Sequence, residues 1–199
     1  MSEHPDPTKF THKGIESIFS AAEIAARVED MADAIVDHVE RPLLVEVIMN
    51  GAVVFASDLV RALSRRGVVV EIDFIALSSY GAGTTSSGEI VIEADARGAI
   101  DGRDVLIVDD ILETGRTLAF AKNYFMAKGA HRVMSCVLLD KSKGRKPAIR
   151  PDFWGFTCPD LFVIGYGMDY AYRYRELPYI GHLTKEADAR KNDGAHSSG

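Results

Sequence analysis

The fold of this chain is decided by one stretch, Val105-Leu-Ile-Val-Asp-Asp-Ile-Leu-Glu-Thr-Gly-Arg-Thr117. Its apolar start predicts a buried strand that ends in two carboxylates, followed by a short loop and a helix that opens at Thr114-Gly115. The amides at a helix N-terminus are unpaired and bind phosphate, and glycine lets the backbone approach a ligand closely. Ligands of open α/β sheets lie at the carboxyl ends of strands. This stretch therefore predicts a phosphate-binding loop beside two acids that suit the hydroxyls of a ribose.

The segments around this stretch alternate between strand and helix. A capping box at Ser20-Ala-Ala-Glu23 begins an amphipathic helix whose apolar positions, ending with Val39, recur every three or four residues. Leu43 to Met49 and Val68 to Ala76 read as strands with a second helix between them, and a third helix runs from about Arg116 to Lys128. This alternation predicts an α/β fold with a mostly parallel central sheet flanked by helices.

One domain is expected over residues 1–184 of the 199-residue chain. The core of this domain would span about residues 43–140. The short aromatic-rich strands from Pro151 to about residue 183, together with the N-terminal segment, would form a small hood on the sheet. The polar residues 185–199 are expected to be a disordered tail.

Composition excludes several classes of protein. The net charge of −6 lacks the basic excess of a nucleic-acid binder. The apolar runs are far shorter than the ~20 residues of a membrane span. The N-terminus lacks the pattern of a secretory signal, and two cysteines cannot build a disulfide framework. A cytoplasmic globular protein is expected.

The run of two acids, two apolar residues, an acid, Thr-Gly and a further threonine closely resembles the phosphoribosyl-pyrophosphate signature of the type I phosphoribosyltransferases. Segments further along the chain resemble the hypoxanthine-guanine phosphoribosyltransferases: Leu138-Leu-Asp-Lys141, Pro151-Asp-Phe-Trp-Gly-Phe156, Pro159 to Tyr166, Met168-Asp169-Tyr170 and Tyr174 to Ile180. The resemblance covers roughly Leu43 to Leu183, and it implies the type I phosphoribosyltransferase fold.

The activity that this resemblance implies is a purine-salvage reaction. The enzyme would transfer the 5-phosphoribosyl group from phosphoribosyl pyrophosphate to hypoxanthine or guanine, giving IMP or GMP and pyrophosphate. Mg²⁺ would be the cofactor, and the chain would form a dimer or tetramer. The binding of nucleic acid or a membrane is not expected.

The resemblance also assigns the residues that would bind the donor. Asp109 and Asp110 would hold the ribose hydroxyls, and the 5′-phosphate would lie on the amides of the loop and first helical turn, Glu113, Thr114, Gly115, Arg116 and Thr117. The pyrophosphate would be contacted by a strained backbone at Asn50-Gly51, by Ser79-Tyr80 at the start of a mobile lid, and by Arg175.

The purine would be bound by a second set of residues. Lys141 would donate a hydrogen bond to the 6-oxygen, which selects 6-oxopurines over adenine because an ammonium cannot accept. Phe162 would stack on the base while the main chain of Val163 reads its edge. Asp169, beside the base, would also be the Mg²⁺ ligand.

Glu113 departs from the family pattern. Most members have aspartate at this position, where the carboxylate is the general base for the purine N7. Glutamate keeps the carboxylate but adds a methylene, and a displacement of ~1 Å can change a rate by ~100-fold.

Two alternatives stay open from the sequence. The first is a regulator that keeps this fold and senses the donor or a nucleotide while binding RNA or DNA, which predicts a basic face. The second is a transferase for another base, such as xanthine, adenine or a pyrimidine.

Overall fold

A computed structural model describes residues 14–79, 90–141 and 149–184, apart from the side chain of Ser79. Tyr80, most of the expected lid and the expected tail at 185–199 lie outside these residues. The elements are β1 (Ile15–Phe19), α1 (Ala21–Val36), β2 (Leu43–Met49), α2 (Val53–Arg65), β3 (Val70–Ser79), β4 (Ile90–Ala94), β5 (Asp104–Leu112), α3 (Arg116–Ala127), β6 (Arg132–Asp140), β7 (Phe153–Thr157), β8 (Val163–Ile164) and β9 (Ile180–Leu183).

The main sheet has six strands in the order β4-β3-β2-β5-β6-β7. Its neighbours pair in parallel except for β4, which runs antiparallel to β3 at the edge. The side chains of α1 and α2 pack into the core on one face, and those of α3 pack into the core on the other. The predicted fold class is confirmed, and the carboxyl ends of β2, β5 and β6 meet at one edge of the sheet. No helix within the described ranges has both the length and the apolar composition needed to cross a bilayer.

The first helix begins where its capping box predicts. The Ser20 hydroxyl accepts a hydrogen bond from the Glu23 amide at 3.3 Å, and the Glu23 carboxylate accepts one from the Ser20 amide at 2.8 Å. The apolar face of this helix is buried. It stops at Val36, so Val39 packs against the core from the following turn rather than from the helix.

The expected hood segment divides between two sheets. β7 pairs with β6 and extends the main sheet, whereas β1, β9 and β8 form a separate antiparallel sheet. Asp152 holds the start of β7 in place, because its carboxylate accepts hydrogen bonds at 2.7 Å from the Ser135 amide on β6 and from Lys122 on α3. The hood therefore differs from the expected range of 151–183. Contacts between distant residues decide where β7 pairs, and a local sequence pattern does not reveal them.

Candidate active site

Strand β5 is longer than the apolar run predicts, and both acids lie within its last four residues. It continues to Leu112, so that only residues 113–115 separate it from α3. Asp109 is 8% exposed, and its carboxylate accepts a hydrogen bond from the Asp110 amide at 3.0 Å. The Asp110 carboxylate accepts one from the Ile111 amide at 2.8 Å. Each acid is thus fixed by the backbone that follows it.

The two acids lack a cationic partner where a buried carboxylate normally has one. Within the described part of the chain, neither forms a salt bridge. Burial, followed by the charge of Asp110, raises the pKa of Asp109 well above its ordinary value. Burial also raises the pKa of Asp110, although its hydrogen bonds with the Asp109 side chain and the Ile111 amide, and then the charge of Arg175, oppose that rise. Both carboxyl groups would gain from hydrogen-bond donors or a cation supplied by a ligand.

The turn after β2 lies directly against Asp110. A Cβ at Gly51 would lie 1.7 Å from the Asp110 Oδ2, so any larger residue here would have to displace the Asp110 carboxylate. A Cβ at Gly167 would in turn lie 2.2 Å from the Gly51 carbonyl oxygen, and the backbone there has a positive φ of 101°. The peptide between Met49 and Asn50, one bond before the Asn50-Gly51 peptide, is cis. Three segments that are distant in sequence therefore meet at one point.

The N-terminus of α3 has the features of an anion site. Gly115 is its N-cap in the left-handed conformation, with φ of 78° and without a side-chain cap, and the Thr114 hydroxyl accepts a bond from the Arg116 amide at 3.3 Å. A Cβ on Gly115 would lie 2.7 Å from Ile149. The turn is thus held closely by the segment before β7. The helix dipole and the uncapped amides at this end favour a bound anion.

Arg175 bonds to the turn at Gly167 and to Asp169, and its charge acts on Asp110 without a salt bridge to it. Its guanidinium donates to the Gly167 carbonyl oxygen at 2.6 Å and lies 2.8 Å from the Asp169 carboxylate. The other oxygen of Asp169 accepts a hydrogen bond from the Tyr172 amide at 2.8 Å. This arrangement holds a cation beside Asp110 and a carboxylate at the same edge.

The residues expected to bind a base lie beyond the loop. Lys141 follows β6, is 8% exposed, and has its ammonium 2.6 Å from the Glu113 carboxylate. Phe162 is 60% exposed and contacts Tyr170 edge-on, with ring centroids 5.6 Å apart. Val163 is buried in β8. The site therefore has an exposed aromatic face and a buried ammonium.

Three aspartates at this edge of the sheet could bind a metal ion through carboxylate oxygens. Asp109, Asp110 and Asp169 provide carboxylate oxygens, which suit a hard ion such as Mg²⁺. Over the described residues, no group of three or more His, Cys, Asp or Glu side chains is arranged to hold a metal. An ion would therefore need oxygens from a ligand as well, as is common for Mg²⁺ bound to phosphates.

Two positions that shape the turn beside Gly51 were not singled out from the sequence. Gly167 contacts the Gly51 backbone, and Tyr166 donates from its hydroxyl to Asp58 on α2. The Gly165-Tyr-Gly167 triplet could have indicated a tight turn, but its contact with the β2 turn needs the folded chain.

These features define a class of protein. A sequence model of the phosphoribosyl transferase domain matches residues 14–171, which is most of the chain. The chain belongs to that family.

Within this family, the chain is similar to enzymes that act on hypoxanthine and guanine. The hypoxanthine-guanine phosphoribosyltransferase of Bacillus subtilis (strain 168) is 41% identical over 168 residues, which are 83% of this chain and 91% of the relative. The hypoxanthine phosphoribosyltransferase of Trypanosoma cruzi, solved with the product IMP, has a TM-score of 0.81 and 36% identity over 88% of this chain and 98% of that one. The bifunctional TilS/HprT protein of Listeria innocua is 42% identical over 178 residues, which are 88% of this chain, and the match spans 27% of that longer protein.

Proposed function

We propose that this chain is a hypoxanthine-guanine phosphoribosyltransferase of purine salvage. It would transfer the 5-phosphoribosyl group from phosphoribosyl pyrophosphate to a 6-oxopurine and release pyrophosphate. The observation that carries the proposal is the pair of acids Asp109 and Asp110, which form no salt bridge among the described residues and lie between the Gly51 turn and the N-terminus of α3. The identity to named enzymes of this kind supports the choice of reaction.

The donor would bind along the edge formed by these segments. Asp109 and Asp110 would accept hydrogen bonds from the two ribose hydroxyls in addition to those they accept from the backbone. The amides from Glu113 to Thr117 bind the 5′-phosphate. Arg175 and the Asn50-Gly51 backbone lie near the leaving pyrophosphate, with Ser79 and Tyr80 from the lid. Positioning of the reactants and stabilisation of the developing charge would account for more of the catalysis than covalent chemistry.

The acceptor base would bind between Phe162 and the strand ends. Phe162 stacks on the ring, the Val163 main chain reads its edge, and the Lys141 ammonium donates to the 6-oxygen. Glu113 accepts the proton from N7 as the new bond forms at N9. The 6-amino group of adenine offers no acceptor to the ammonium, so the site favours hypoxanthine and guanine.

Mg²⁺ would be held by Asp169 together with oxygens of the pyrophosphate. When bound, the ion neutralises part of the charge of the leaving group. Arg175 competes for the same carboxylate in the present structure, so it would exchange partners when the donor enters.

Two further properties belong to this proposal. A cytoplasmic location is proposed from the resemblance to this family. A dimer or tetramer is proposed on the basis of the resemblance.

Turnover with each base is the direct experiment. The purified chain, phosphoribosyl pyrophosphate and Mg²⁺ should convert hypoxanthine to IMP and guanine to GMP, and chelation of the metal should stop the reaction. Unlabelled adenine should compete weakly, and competition by unlabelled xanthine, which also has a 6-oxygen, tests the alternative of a transferase for another base. Binding of the donor without turnover of either 6-oxopurine would contradict the proposal. A gel shift with bulk RNA at low salt tests the alternative that the chain is a regulator that binds nucleic acid. We expect no shift.

A further inference from the structure

The base side of the site contains an internal ion pair. Lys141 begins where β6 ends, and its amide donates to the Leu112 carbonyl oxygen at 2.9 Å, which fixes its backbone beside the end of β5. Its ammonium lies 2.6 Å from the Glu113 Oε1. The Lys141 side chain is 9% exposed, whereas that of Glu113 is 59% exposed. The ammonium is therefore deep in the site, and the carboxylate covers it from the solvent side.

The length of the glutamate side chain is what closes this pair. An aspartate on the same backbone would be shorter by one carbon–carbon bond of about 1.5 Å. From that position its oxygens would lie about 4 Å from the ammonium, at the limit of an ion pair. The pairing is thus tied to the one residue at which this chain departs from the family pattern.

An ammonium with so little exposure needs an acceptor. Leaving a buried charged donor unpaired costs far more free energy than a typical hydrogen bond contributes. A ligand that displaces Glu113 must therefore bring its own acceptor to Lys141. The 6-oxygen of a hypoxanthine or guanine ring does so, whereas the 6-amino group of adenine is a donor.

Resting on the proposed function, we propose that Glu113 modulates the specificity of the site: it occupies the Lys141 ammonium in the empty site, yields it only to a base with an acceptor at position 6, and so lowers the preference for 6-oxopurines over adenine. Glu113 thus has two successive partners, the ammonium before the base binds and N7 afterwards. The carboxylate competes with every 6-oxopurine, so part of the binding free energy of the base is used to displace it.

The experiment measures the ratio of the dissociation constants of AMP and IMP by isothermal titration calorimetry. AMP is the internal reference because it shares N7, the ribose and the phosphate with IMP and lacks only the 6-oxygen. In Glu113→Gln and in Glu113→Asp, IMP should gain affinity relative to AMP by about fivefold, the range of a partly exposed ion pair. The aspartate variant keeps the charge and changes the reach alone.

A double-mutant cycle separates this effect from direct contact with N7. In a Lys141→Gln background the ammonium is absent, so adding Glu113→Gln should leave the ratio unchanged within about 0.5 kcal/mol, or roughly twofold. The matched control is Glu71→Gln, which removes the same charge from an ion pair with Arg103 outside the site. That control should leave the ratio unchanged.

Two results would overturn the proposal. One is an unchanged ratio in both Glu113 variants, and the other is the same shift with and without Lys141. Loss of folding in one variant, seen by circular dichroism, leaves the other to decide. Wild-type turnover of hypoxanthine is measured in parallel. Since the ratio depends on nucleotide binding alone, failure of the proposed function would be seen separately as bound IMP without catalysis.

Discussion

The two ends of strand β5 carry buried aspartates in opposite electrostatic situations. At the amino end, Asp104 is 1% exposed, with one oxygen 2.9 Å from His131 and the other 2.9 Å from Arg132. Burial raises its pKa, but the hydrogen bonds from His131 and Arg132 outweigh burial and hold that pKa below its ordinary value. At the carboxyl end, Asp109 and Asp110 have no such cations within the described chain, and the pKa of each is raised.

The difference distinguishes an acid that stabilises the fold from acids kept for a ligand. A paired buried carboxylate belongs to the protein's own network, and removing it leaves cations without an acceptor. An unpaired carboxylate costs stability, and such groups are concentrated at functional sites. The carboxyl end of β5 therefore reads as the functional end of the strand.

A third buried acid, Glu46, lies on the neighbouring strand between these extremes. It is 0% exposed, and neither of its oxygens has a hydrogen-bond partner among the described residues. Burial, followed by the charges of Asp73 and Asp95, raises its pKa to about 7, while Lys128 acts in the opposite direction. Glu46 pairs in register with Ile107, in the middle of β5 rather than at its end. The pKa of Glu46 is raised like those of Asp109 and Asp110, but Glu46 does not lie at the carboxyl end of the strands.

The largest effect is expected from the double substitution Asp109→Asn with Asp110→Asn. Losing two charge-assisted hydrogen bonds to the ribose should lower kcat/KM by about 1,000-fold, or about 4 kcal/mol. Thermal stability should be unchanged or higher because two crowded acids become neutral. Steady-state kinetics and the melting temperature check both parts. Retention of more than a tenth of the activity would show that these acids do not hold the donor.

The second prediction concerns pH and Glu46. Its ordinary pKa is 4.5, so between that value and about 7 the folded chain binds more protons than the unfolded chain. This contribution to stability is complete below pH 4.5 and is lost as the pH rises through 7. The free energy of unfolding of Glu46→Gln, relative to wild type, should therefore rise by about 3 kcal/mol between pH 4.5 and 8.

Urea denaturation across that pH range measures the difference. Glu93→Gln is the control, since Glu93 is exposed on β4. It should track the wild type at every pH. If the free energy of unfolding of Glu46→Gln depended on pH in the same way as that of wild type, Glu46 would have a hydrogen-bond or ionic partner in solution. It would then be a paired buried acid like Asp104.

The smallest effect is expected at the paired end of β5. Asp104→Asn should lower the free energy of unfolding by about 2 kcal/mol, because Arg132 and His131 lose their shared acceptor. The kcat/KM of the folded enzyme should stay within about twofold of wild type. His131→Ala, which removes a half-exposed partner, should cost only about 0.5 kcal/mol. A large loss of activity in Asp104→Asn would erase the distinction between the two ends.

Much of the fold could be predicted because its signals are local. The Ser20–Glu23 capping box, the apolar period of α1 and the buried run of β2 depend on residues within a few positions of one another. The acids, the Thr114-Gly115 turn and Lys141 could be proposed as site residues for a similar reason. The first two lie in one continuous stretch, and the third follows the next strand. The roles of these residues stay predictions until ligands are bound.

Contacts between distant segments could not be predicted in this way. The Asp152 contacts that place β7 in the main sheet, the approach of Gly51 to Asp110, and the turn at Gly167 each join residues far apart in the chain. The same holds for Glu113 and Lys141, since sequence placed both at the site but did not reveal that they bind each other.

By itself the sequence determined which segments become strands and helices and which stretch carries the chemistry, because periodicity, capping and turn residues act over a few positions. Tertiary structure alone decided which buried acid has a partner and which has none. That distinction depends on where Arg132, His131, Arg175 and Lys141 come to lie once the strands are ordered in the sheet, and the energetics of a buried charge follow from its neighbours in space.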